Sequence, residues 1–529
     1  MSFQTEYDGI VVGAGHNGLC LAAYLCKAGL KILVVEANNK VGGFTCTDEA
    51  IPGYKINFHA GIVWGYSPVY RDFDLSKYGA RFVKPFVEDG VFLRKKRECV
   101  MLYDDPKLNF KNLSKYSERD ARTISRLYRE YIKTCRMEYF SPPVHPSQRG
   151  CDLQGDKREE YQKIVSMSPR HALDELFEDE AIKLLFTLRI MEAAAEDYID
   201  GLGDFVLRMC ADSQYLLPVG GAYQICAALA RIIQDYGGSV ITGTMVTKIT
   251  IKDGTATGIE LADGRRFKAK KFVASSAPPP LTFLRLIGED YLDRNIAIKA
   301  KEYKIAEFTG FQFWLALKDY PRYKEEYGPD ANKVFSGWIG ADNRQELYEI
   351  GLEIAAGDIN KLFATVNCPT LLDPTYAPPD KHLIWLYTFA PNPESLKNKS
   401  YDDIKEDYSN RLIDLWKDYA PNLTNENIIS KNIYTHQDWG KHFPAMVGCL
   451  DGKHGSYSDG QYYYGRPFPE VNSYRTMIKG LYLCGSSSHP GAQVTFGPGY
   501  NATNVIAEDL GIKKWWRPYD AYSIPLVEE

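Results

Sequence analysis

Three glycines near the N-terminus have the spacing of a dinucleotide-binding turn. Gly13, Gly15 and Gly18 follow an apolar run and precede a stretch with helical pattern from about residue 17 to residue 28. In such a turn the first glycine permits a tight bend and the second lets the backbone approach a pyrophosphate. The third lets the helix pack closely on the strand. The helix N-terminus offers free N–H groups and partial positive charge, so the segment favours phosphate binding.

An acidic residue closes the same unit. Residues 31–35 predict a second buried strand, and Glu36 follows it directly. A carboxylate at this place accepts hydrogen bonds from the adenosine ribose and repels a 2′-phosphate. Strand, helix, strand and acid together predict a β-α-β dinucleotide site. A glycine-rich structural turn is the alternative.

Two features after Glu36 extend the prediction. Gly42 and Gly43 let a second backbone segment pass close to the cofactor, which favours a flavin dinucleotide over a nicotinamide one. Residues 53–61 predict a short strand that returns to the same site and carries His59. We expect His59 to be the proton acceptor of a reaction there. A histidine that is hydrogen-bonded in the core is the alternative.

Length and composition narrow the class of protein. A chain of 529 residues is long enough for two or three domains, and a net charge of −5 without a basic stripe argues against nucleic acid as a partner. No stretch resembles a signal peptide or a membrane-spanning helix, so we expect a cytoplasmic protein. The eleven cysteines lack zinc-ligand spacing, which predicts reduced thiols and no metal site.

The β/α pattern returns twice along the chain. Residues 218–261 predict a glycine turn, a helix, a strand and a hairpin that places Val246 against an adenine ring. Residues 480–510 predict a strand ending at Gly485, a glycine-rich loop and a helix. These patterns predict an α/β fold in which a Rossmann-like dinucleotide-binding domain is interleaved with an α+β substrate domain. The predicted segments are 1–65, 215–285 and 465–512 for the first domain, 66–214 and 286–464 for the second, and 513–529 for a C-terminal tail.

The segments between these units are rich in aromatic residues. Residues 311–317, 362–366 and 383–389 have the alternation of strands, and together they predict a sheet that walls a cavity. A helix from about residue 181 carries several charges, which we interpret as helix-surface residues: Arg189, Glu192, Glu196 and Asp197.

Taken together, these segments resemble the phytoene desaturase and carotenoid isomerase family of flavoproteins: residues 13–18, Glu36, Gly42 with Gly43, residues 218–221 and residues 480–499. The resemblance spans nearly the whole chain. Residues 369–378, 466–469 and 497–502 favour its carotenoid ketolase and pyridine nucleotide-disulphide oxidoreductase domain-containing branches. The resemblance implies FAD, held by the first and last segments. The residues assigned to FAD are Gly13, Gly15, Asn17, Gly18, Glu36, Ala37, Gly42, Gly43, Val246, Gly485, Ser486, Gly491, Gln493 and Val494.

Two departures from the family pattern bear on the substrate. Ala37 stands where the family often has a basic residue, and three serines, Ser486–Ser488, stand where the family usually has Ala-Gly-Thr between Gly485 and His489. We interpret His489 as a residue that shapes the loop. The changed loop favours a shorter or cyclic substrate over a long linear carotene.

The sequence therefore predicts an FAD-dependent desaturase or dehydrogenase that acts on CH–CH bonds of a lipophilic, isoprenoid or alicyclic substrate. The electron acceptor would be oxygen or a quinone. A flavin-dependent isomerase or ketolase is one alternative, and a flavin-free prenyl-binding protein of the Rab GDP-dissociation inhibitor type is another. The cations and tryptophans of residues 513–517 predict either peripheral membrane contact or packing on the body or on a second subunit.

Overall fold

The computed structural model describes residues 5–192, 197–211, 215–303, 308–396, 399–442, 465–491 and 493–519. Its strands are β1 (Glu6–Val12), β2 (Ile32–Val35), β3 (Thr47–Ile51), β4 (Tyr54–Asn57), β5 (Val63–Trp64), β6 (Phe82–Val83), β7 (Val87–Leu93), β8 (Glu98–Tyr103), β9 (Tyr215–Pro218), β10 (Ser239–Ile241), β11 (Val246–Lys252), β12 (Thr255–Leu261), β13 (Arg266–Ser275), β14 (Phe308–Leu317), β15 (Val334–Ile339), β16 (Ala364–Asn367), β17 (His382–Pro391), β18 (Ile428–Tyr434) and β19 (Leu481–Leu483).

The helices follow the same chain order. They are α1 (His16–Lys27), α2 (Pro68–Asp72), α3 (Pro106–Leu113), α4 (Glu118–Tyr139), α5 (Asp156–Ser166), α6 (Pro169–Leu176), α7 (Glu180–Glu192), α8 (Asp204–Ala211), α9 (Tyr223–Asp235), α10 (Arg294–Lys301), α11 (Arg344–Ala355), α12 (Tyr401–Lys417), α13 (His436–His442) and α14 (Gly497–Asp509). A π-helix spans Pro280–Ile287. No helix among the described residues is long and apolar enough to cross a bilayer.

The first sheet has the strand order β10-β2-β1-β13-β12-β11, and β19 pairs with β13. Strands β10, β2, β1, β13 and β19 are parallel, so their carboxyl ends meet at one edge. In α/β folds ligands bind at this edge. The predicted mixed α/β fold with a Rossmann-like domain is thereby confirmed, whereas the predicted domain boundaries stay a prediction.

Local sequence explains the first β-α-β unit. The residues of β2 are all buried, as expected for a parallel strand covered on both faces. Helix α1 ends at Lys27, and Gly29 follows with a φ of +94°, a left-handed conformation that glycine adopts without strain. The helix therefore lies within one residue of its predicted bounds.

The second sheet has the order β18-β14-β17-β16-β15-β7-β8. One face packs against α12 in an apolar core, where the ring centroids of Phe311 and Tyr408 are 5.0 Å apart. Residues 311–317 contribute a strand to this sheet, but Phe311 and Phe313 belong to this core and not to the cavity wall. The opposite face carries Trp385 and Tyr387, which do line the cavity described below.

The interpretation of Arg189 as a helix-surface charge is also wrong. Its side chain is fully buried on α7, with Nε 3.0 Å from the Asp89 carboxylate, and it donates a hydrogen bond to the Met209 carbonyl at 2.8 Å. Asp197 is buried as well and pairs with Arg170 at 3.0 Å. Helical periodicity does not reveal a partner on another element, so the sequence pattern could not indicate these pairs. The side chains of Glu192 and Glu196 lie outside the described residues.

The C-terminal tryptophans pack on the body of the protein. Trp515 stacks on Tyr24 with 5.5 Å between ring centroids and donates a hydrogen bond to the Tyr24 carbonyl at 3.0 Å. Trp516 is buried and donates to Asn504 at 3.1 Å. Of the alternatives for residues 513–517, packing on the body is the one that these contacts support.

The close approach of α14 to α1 depends on a glycine in α14, and a glycine in α11 serves as its control. A Cβ on Gly499 would lie 2.3 Å from the carbonyl oxygen of Asn17, whereas a Cβ on Gly351 in α11 would meet nothing within 4 Å. We expect Gly499→Ala to destabilise the protein by about 1–3 kcal/mol because the helices must separate. Gly351→Ala, the matched control, should stabilise it by about 0.5–1 kcal/mol through helix propensity. Thermal unfolding of both variants measures this, and equal melting temperatures would contradict it.

Candidate cofactor and substrate site

A cavity of about 500 Å³ runs from the carboxyl edge of the first sheet to the second sheet. This volume lies within the usual range of small-molecule sites. Its walls come from segments far apart in the chain. The lining residues are Val12, Gly13, Gly15, His16, Asn17, Val35, Glu36, Ala37, Asn38, Gly42, Gly43, Phe44, Thr45, His59, Ala60, Gly61, Ile62, Trp64, Met191, Met245, Val246, Ser276, Ala277, Pro278, Leu281, Arg285, Leu286, Thr365, Trp385, Tyr387, Gly485, Ser486, Gln493 and Val494.

The three glycines of the first turn differ in what surrounds them. A Cβ on Gly13 would lie 2.4 Å from Ser276 Oγ, and one on Gly18 would lie 2.3 Å from the Gly13 carbonyl oxygen. A Cβ on Gly15 would meet no protein atom within 4 Å. Gly15 is also the N-cap of α1, and no side chain caps the helix there. The first-turn N–H groups are therefore available to a phosphate, as the pattern predicts.

Glu36 is held by the backbone around the turn. Its carboxylate accepts hydrogen bonds from the N–H groups of Ala14 at 2.8 Å and Asn38 at 2.9 Å. Burial raises the pKa of Glu36, and these backbone hydrogen bonds oppose that rise. A carboxylate can accept further hydrogen bonds on the same oxygens, so Glu36 fits the hydroxyls of a ribose.

The second glycine pair lies directly against the first turn. The Gly42 N–H donates to the Ala14 carbonyl at 2.8 Å, and a Cβ on Gly43 would be 3.6 Å from the Gly15 Cα atom. Two backbone segments thus approach the same place. Together with Glu36 and the uncapped helix, they form a cradle that fits a dinucleotide such as FAD.

The loop after Gly485 supplies the third side of the cavity. Gln493 and Val494 line it, and Gln493 has a φ of +88°. The Tyr139 hydroxyl bonds Gln493 Oε1 at 3.3 Å and Thr495 Oγ1 at 2.9 Å, so α4 fixes this loop. Gly491 and Gly18, which the sequence assigned to FAD, lie outside the lining. Gly18 instead has the packing role that its position in the motif predicts.

Side chains hold the loop from behind. Arg466 donates to the carbonyls of Ser486 at 2.9 Å and Ser487 at 3.2 Å. The His489 ring is buried and bonds the Glu138 carbonyl through Nε2 at 3.1 Å. These contacts agree with the interpretation of His489 as a loop-shaping residue.

Aromatic rings enclose the far end of the cavity. His59 stacks on Phe44 with 5.3 Å between ring centroids and meets Tyr387 edge-on at 5.9 Å. A Cβ on Gly61 would lie 2.9 Å from the Trp385 ring, so glycine lets this segment approach the second sheet. The structure therefore brings His59 to the cavity, whereas its role in proton transfer stays a prediction.

Several lining residues were not predicted from the sequence. Ser276 follows β13 and donates to the carbonyl of Val12 at 3.0 Å, so it joins two strand ends that only the parallel pairing brings together. Met191 also lines the cavity, and no local motif marks it. Thr365 lies on a strand that was predicted to wall the cavity, but the alternation of the strand does not single out its side chain. His16 could have been found, since it lies inside the glycine motif. Among the described residues no cluster of histidine, cysteine or carboxylate side chains could hold a metal ion.

We expect Glu36→Ala to weaken FAD binding by about 10- to 100-fold, because two charge-assisted hydrogen bonds to the ribose are lost. The flavin content of the purified variant, measured by its visible absorbance per protein, checks this. Glu49→Ala on β3, where the carboxylate is exposed and outside the cavity lining, is the matched control. Full flavin occupancy in Glu36→Ala would contradict the assignment.

The burial of His16 predicts how the stability of the protein depends on pH. Burial lowers its pKa to about 4, against 6.5 for the exposed side chain. The unfolded chain therefore binds a proton more readily than the folded one between these values, and stability falls as pH drops from 6.5 towards 4. We expect His16 to account for about 2–3 kcal/mol of that loss.

Melting temperatures at pH 7 and pH 4.5 measure the effect. Between these two pH values the melting temperature of His16→Asn should fall less than that of the wild type. His171→Asn changes an exposed histidine of α6, and its melting temperature should fall as much as that of the wild type. An equal fall in the wild type and His16→Asn would contradict the assignment of the pH dependence.

Comparisons with known proteins agree with this site. A family model described as an NAD(P)-binding Rossmann-like domain matches residues 11–74. The chain is 28% identical to one of the subunits of limonene dehydrogenase from Castellaniella defragrans, over 98% of both chains. It is also 28% identical to pyridine nucleotide-disulfide oxidoreductase domain-containing protein 2 of Mus musculus, covering 96% of this chain and 94% of that one. Prolycopene isomerase 1 of an Oncidium hybrid cultivar is 25% identical, covering 99% and 87%.

A solved structure of putrescine oxidase superposes with a TM-score of 0.64 at 16% identity, covering 96% of this chain and 99% of that one. At this identity the likeness shows the fold alone. The sequence relatives extend over nearly the whole chain, and they are named as a dehydrogenase subunit, an oxidoreductase domain-containing protein and a carotenoid isomerase. The resemblance of this chain to the phytoene desaturase and carotenoid isomerase type of FAD-dependent oxidoreductase is thereby confirmed.

Proposed function

We propose that this chain is an FAD-dependent dehydrogenase that removes a hydride and a proton from adjacent carbons of a lipophilic, isoprenoid or alicyclic molecule. The observation that carries the proposal is the cavity itself. It begins in a cradle for a dinucleotide, at Gly15 and Glu36, and ends between the rings of Phe44, Trp385 and Tyr387. The same continuous space would thus hold a cofactor and an apolar substrate side by side.

The charges around the cavity support an apolar substrate. Among the described lining residues, the charged side chains of the Asp, Glu, Lys and Arg types are those of Glu36, in the cradle, and Arg285. Arg285 lies on the π-helix, whose Leu286 packs in one core with Val246. An apolar cavity favours binding by about 25 cal/mol per Å² of buried apolar surface and penalises an unpaired charge.

FAD supplies the acceptor for a hydride when it is bound. The protein holds it through the α1 N-terminus and Glu36, and the aromatic rings exclude water and orient the substrate. His59 is the candidate for the proton acceptor, since its ring lines the cavity and is held between Phe44 and Tyr387. A positioned base contributes about 10²- to 10⁴-fold to such a reaction.

The relatives support this reaction class and one alternative. The limonene dehydrogenase of Castellaniella defragrans is named for an alicyclic hydrocarbon, which agrees with the shorter or cyclic substrate expected from the changed loop at Gly485. Prolycopene isomerase 1 favours the alternative of an isomerase on the same fold. The two differ in net electron transfer, since only a dehydrogenase leaves its flavin reduced when no acceptor is present.

Anaerobic mixing of the flavoprotein with candidate substrates tests the proposal. We expect a cyclic alkene or a short isoprenoid to abolish the visible absorbance of the oxidised flavin. His59→Gln should slow this bleaching by about 10²- to 10⁴-fold without loss of bound flavin. His171→Asn is the control for an exposed histidine far from the cavity lining.

Three outcomes would contradict the proposal. Reduction by a polyamine, with none by the apolar compounds, would overturn the substrate class. Conversion of a substrate without any flavin reduction would favour the isomerase. A protein that purifies without flavin would favour a prenyl-binding protein instead.

A further inference from the structure

A row of polar side chains crosses the second sheet on the face that carries the cavity wall. Asp89 on β7 pairs with Ser336 on β15, Ser336 with Asn367 on β16, and Asn367 with Trp385 on β17. Directly opposed residues of neighbouring strands project to the same face, about 5 Å apart. Trp385 itself lines the cavity. The row therefore leads from the cavity wall into the protein.

Three members of this row are buried polar groups that other described residues do not satisfy. Ser336 is 0% exposed, Asn367 is 2% exposed and Trp385 is 9% exposed. Within the described ranges, Ser336 Oγ, Asn367 Oδ1 and Trp385 Nε1 have no hydrogen-bond partner. Each such group costs about 1–3 kcal/mol. Trp385 lines the cavity, and Asn367 and Ser336 lie behind it, one and two strands further along the row. An unsatisfied donor at the cavity wall with unsatisfied acceptors behind it indicates a partner that the protein chain does not supply.

Formation of the sheet does not by itself require polar side chains at the positions of this row. On the opposite face the intervening residues, Val366 and Leu386, belong to the apolar core under α12. Strands buried on both faces ordinarily carry apolar residues on both. The polar groups of the row lie on the face that the cavity shares, where Thr365 also lines it.

The charges at the inner end of the row favour a neutral partner. Asp89 lies 3.0 Å from Arg189 Nε, so this cation is already paired. Glu88 is buried beside Asp89, and its burial raises its pKa well above the usual value. An anion placed here would meet the Asp89 carboxylate and no uncommitted cation among the row residues. A neutral group avoids both the repulsion and the cost of burying a charge.

We propose that the row Ser336–Asn367–Trp385 binds a hydroxyl group on an otherwise apolar substrate. A hydroxyl is the smallest neutral group that both donates and accepts, and the row presents both an indole N–H donor and oxygen acceptors. A carbonyl would satisfy the donor alone. This inference rests on the proposed function, and it narrows the substrate class from lipophilic isoprenoid or alicyclic molecules to those that bear a hydroxyl group.

Matched pairs of compounds that differ by one hydroxyl test the proposal. Limonene with perillyl alcohol forms a cyclic pair, and 2,6-dimethylocta-2,6-diene with geraniol forms an acyclic one. Calorimetric titration of the flavin-loaded protein gives a Kd for each compound. We expect at least one alcohol to bind about tenfold or more tightly than its hydrocarbon, the value of one or two buried hydrogen bonds.

Isosteric variants assign the preference to the row. Asn367→Leu and Ser336→Ala should each bring the alcohol-to-hydrocarbon ratio towards one, and both should be at least as heat-stable as the wild type because an unsatisfied polar group is removed. Thr388→Val is the matched control. Thr388 lies on β17, one position out of phase with Tyr387, and donates to the Phe363 carbonyl at 2.6 Å. It should leave the ratio unchanged.

Three results would overturn the proposal. A wild-type ratio near or below one for both pairs, or no binding of any of the four compounds, excludes hydroxyl recognition. A preference that survives in both row variants means that the row holds ordered water only. Flavin reduction is measured separately, so a protein that prefers the alcohols but is never reduced by them retains this inference and loses the proposed dehydrogenation.

Discussion

The site depends on how closely the backbone approaches itself at the carboxyl edge of the first sheet. A Cβ on Gly18, Gly485 or Gly499 would each lie 2.3 Å from a carbonyl oxygen, of Gly13, Ser276 and Asn17 respectively. No side chain fits at such distances, so helices α1 and α14 and the strand ends meet only because these positions are glycine. Gly15 differs from them, since its Cα faces the cavity. Packing within the protein requires glycine at positions 18, 485 and 499, whereas the approach of a ligand requires it at position 15.

The aromatic end of the cavity is formed by the second sheet, whose two faces differ in composition. Its face under α12 is continuous and apolar, and it gives the sheet its stability through burial. The face with Trp385 and Tyr387 is thereby free to carry rings and polar groups that a core would not favour. Gly61 then lets the chain near His59 touch this face. The geometry of the aromatic end thus follows from one strand register, that of β16 and β17.

The sequence predicted the cofactor end well and the substrate end less well, for a physical reason. The glycine turn, α1 and Glu36 are close in sequence, and their roles follow from local backbone geometry. The aromatic strands were predicted as strands, but a period of two does not tell which face meets which neighbour. By pattern, Phe311 and Trp385 are equally suited to a cavity wall, and only the packing of α12 assigns Phe311 to the core. The burial of Arg189 depends on Asp89, one hundred residues earlier, in the same way.

The surroundings of Glu36 and of the α1 N-terminus distinguish the proposed flavoprotein from a flavin-free prenyl-binding protein. Glu36 is 8% exposed, and burial raises its pKa, so the folded protein bears a cost for keeping an acid at this place. Backbone N–H groups from Ala14 and Asn38 offset part of that cost and aim the carboxylate at the cavity. A prenyl chain has no donor to offer this carboxylate and no anion for the uncapped N-terminus of α1. A dinucleotide has both, in ribose hydroxyls and phosphates, so the cradle is explained by a cofactor and not by an isoprenoid alone.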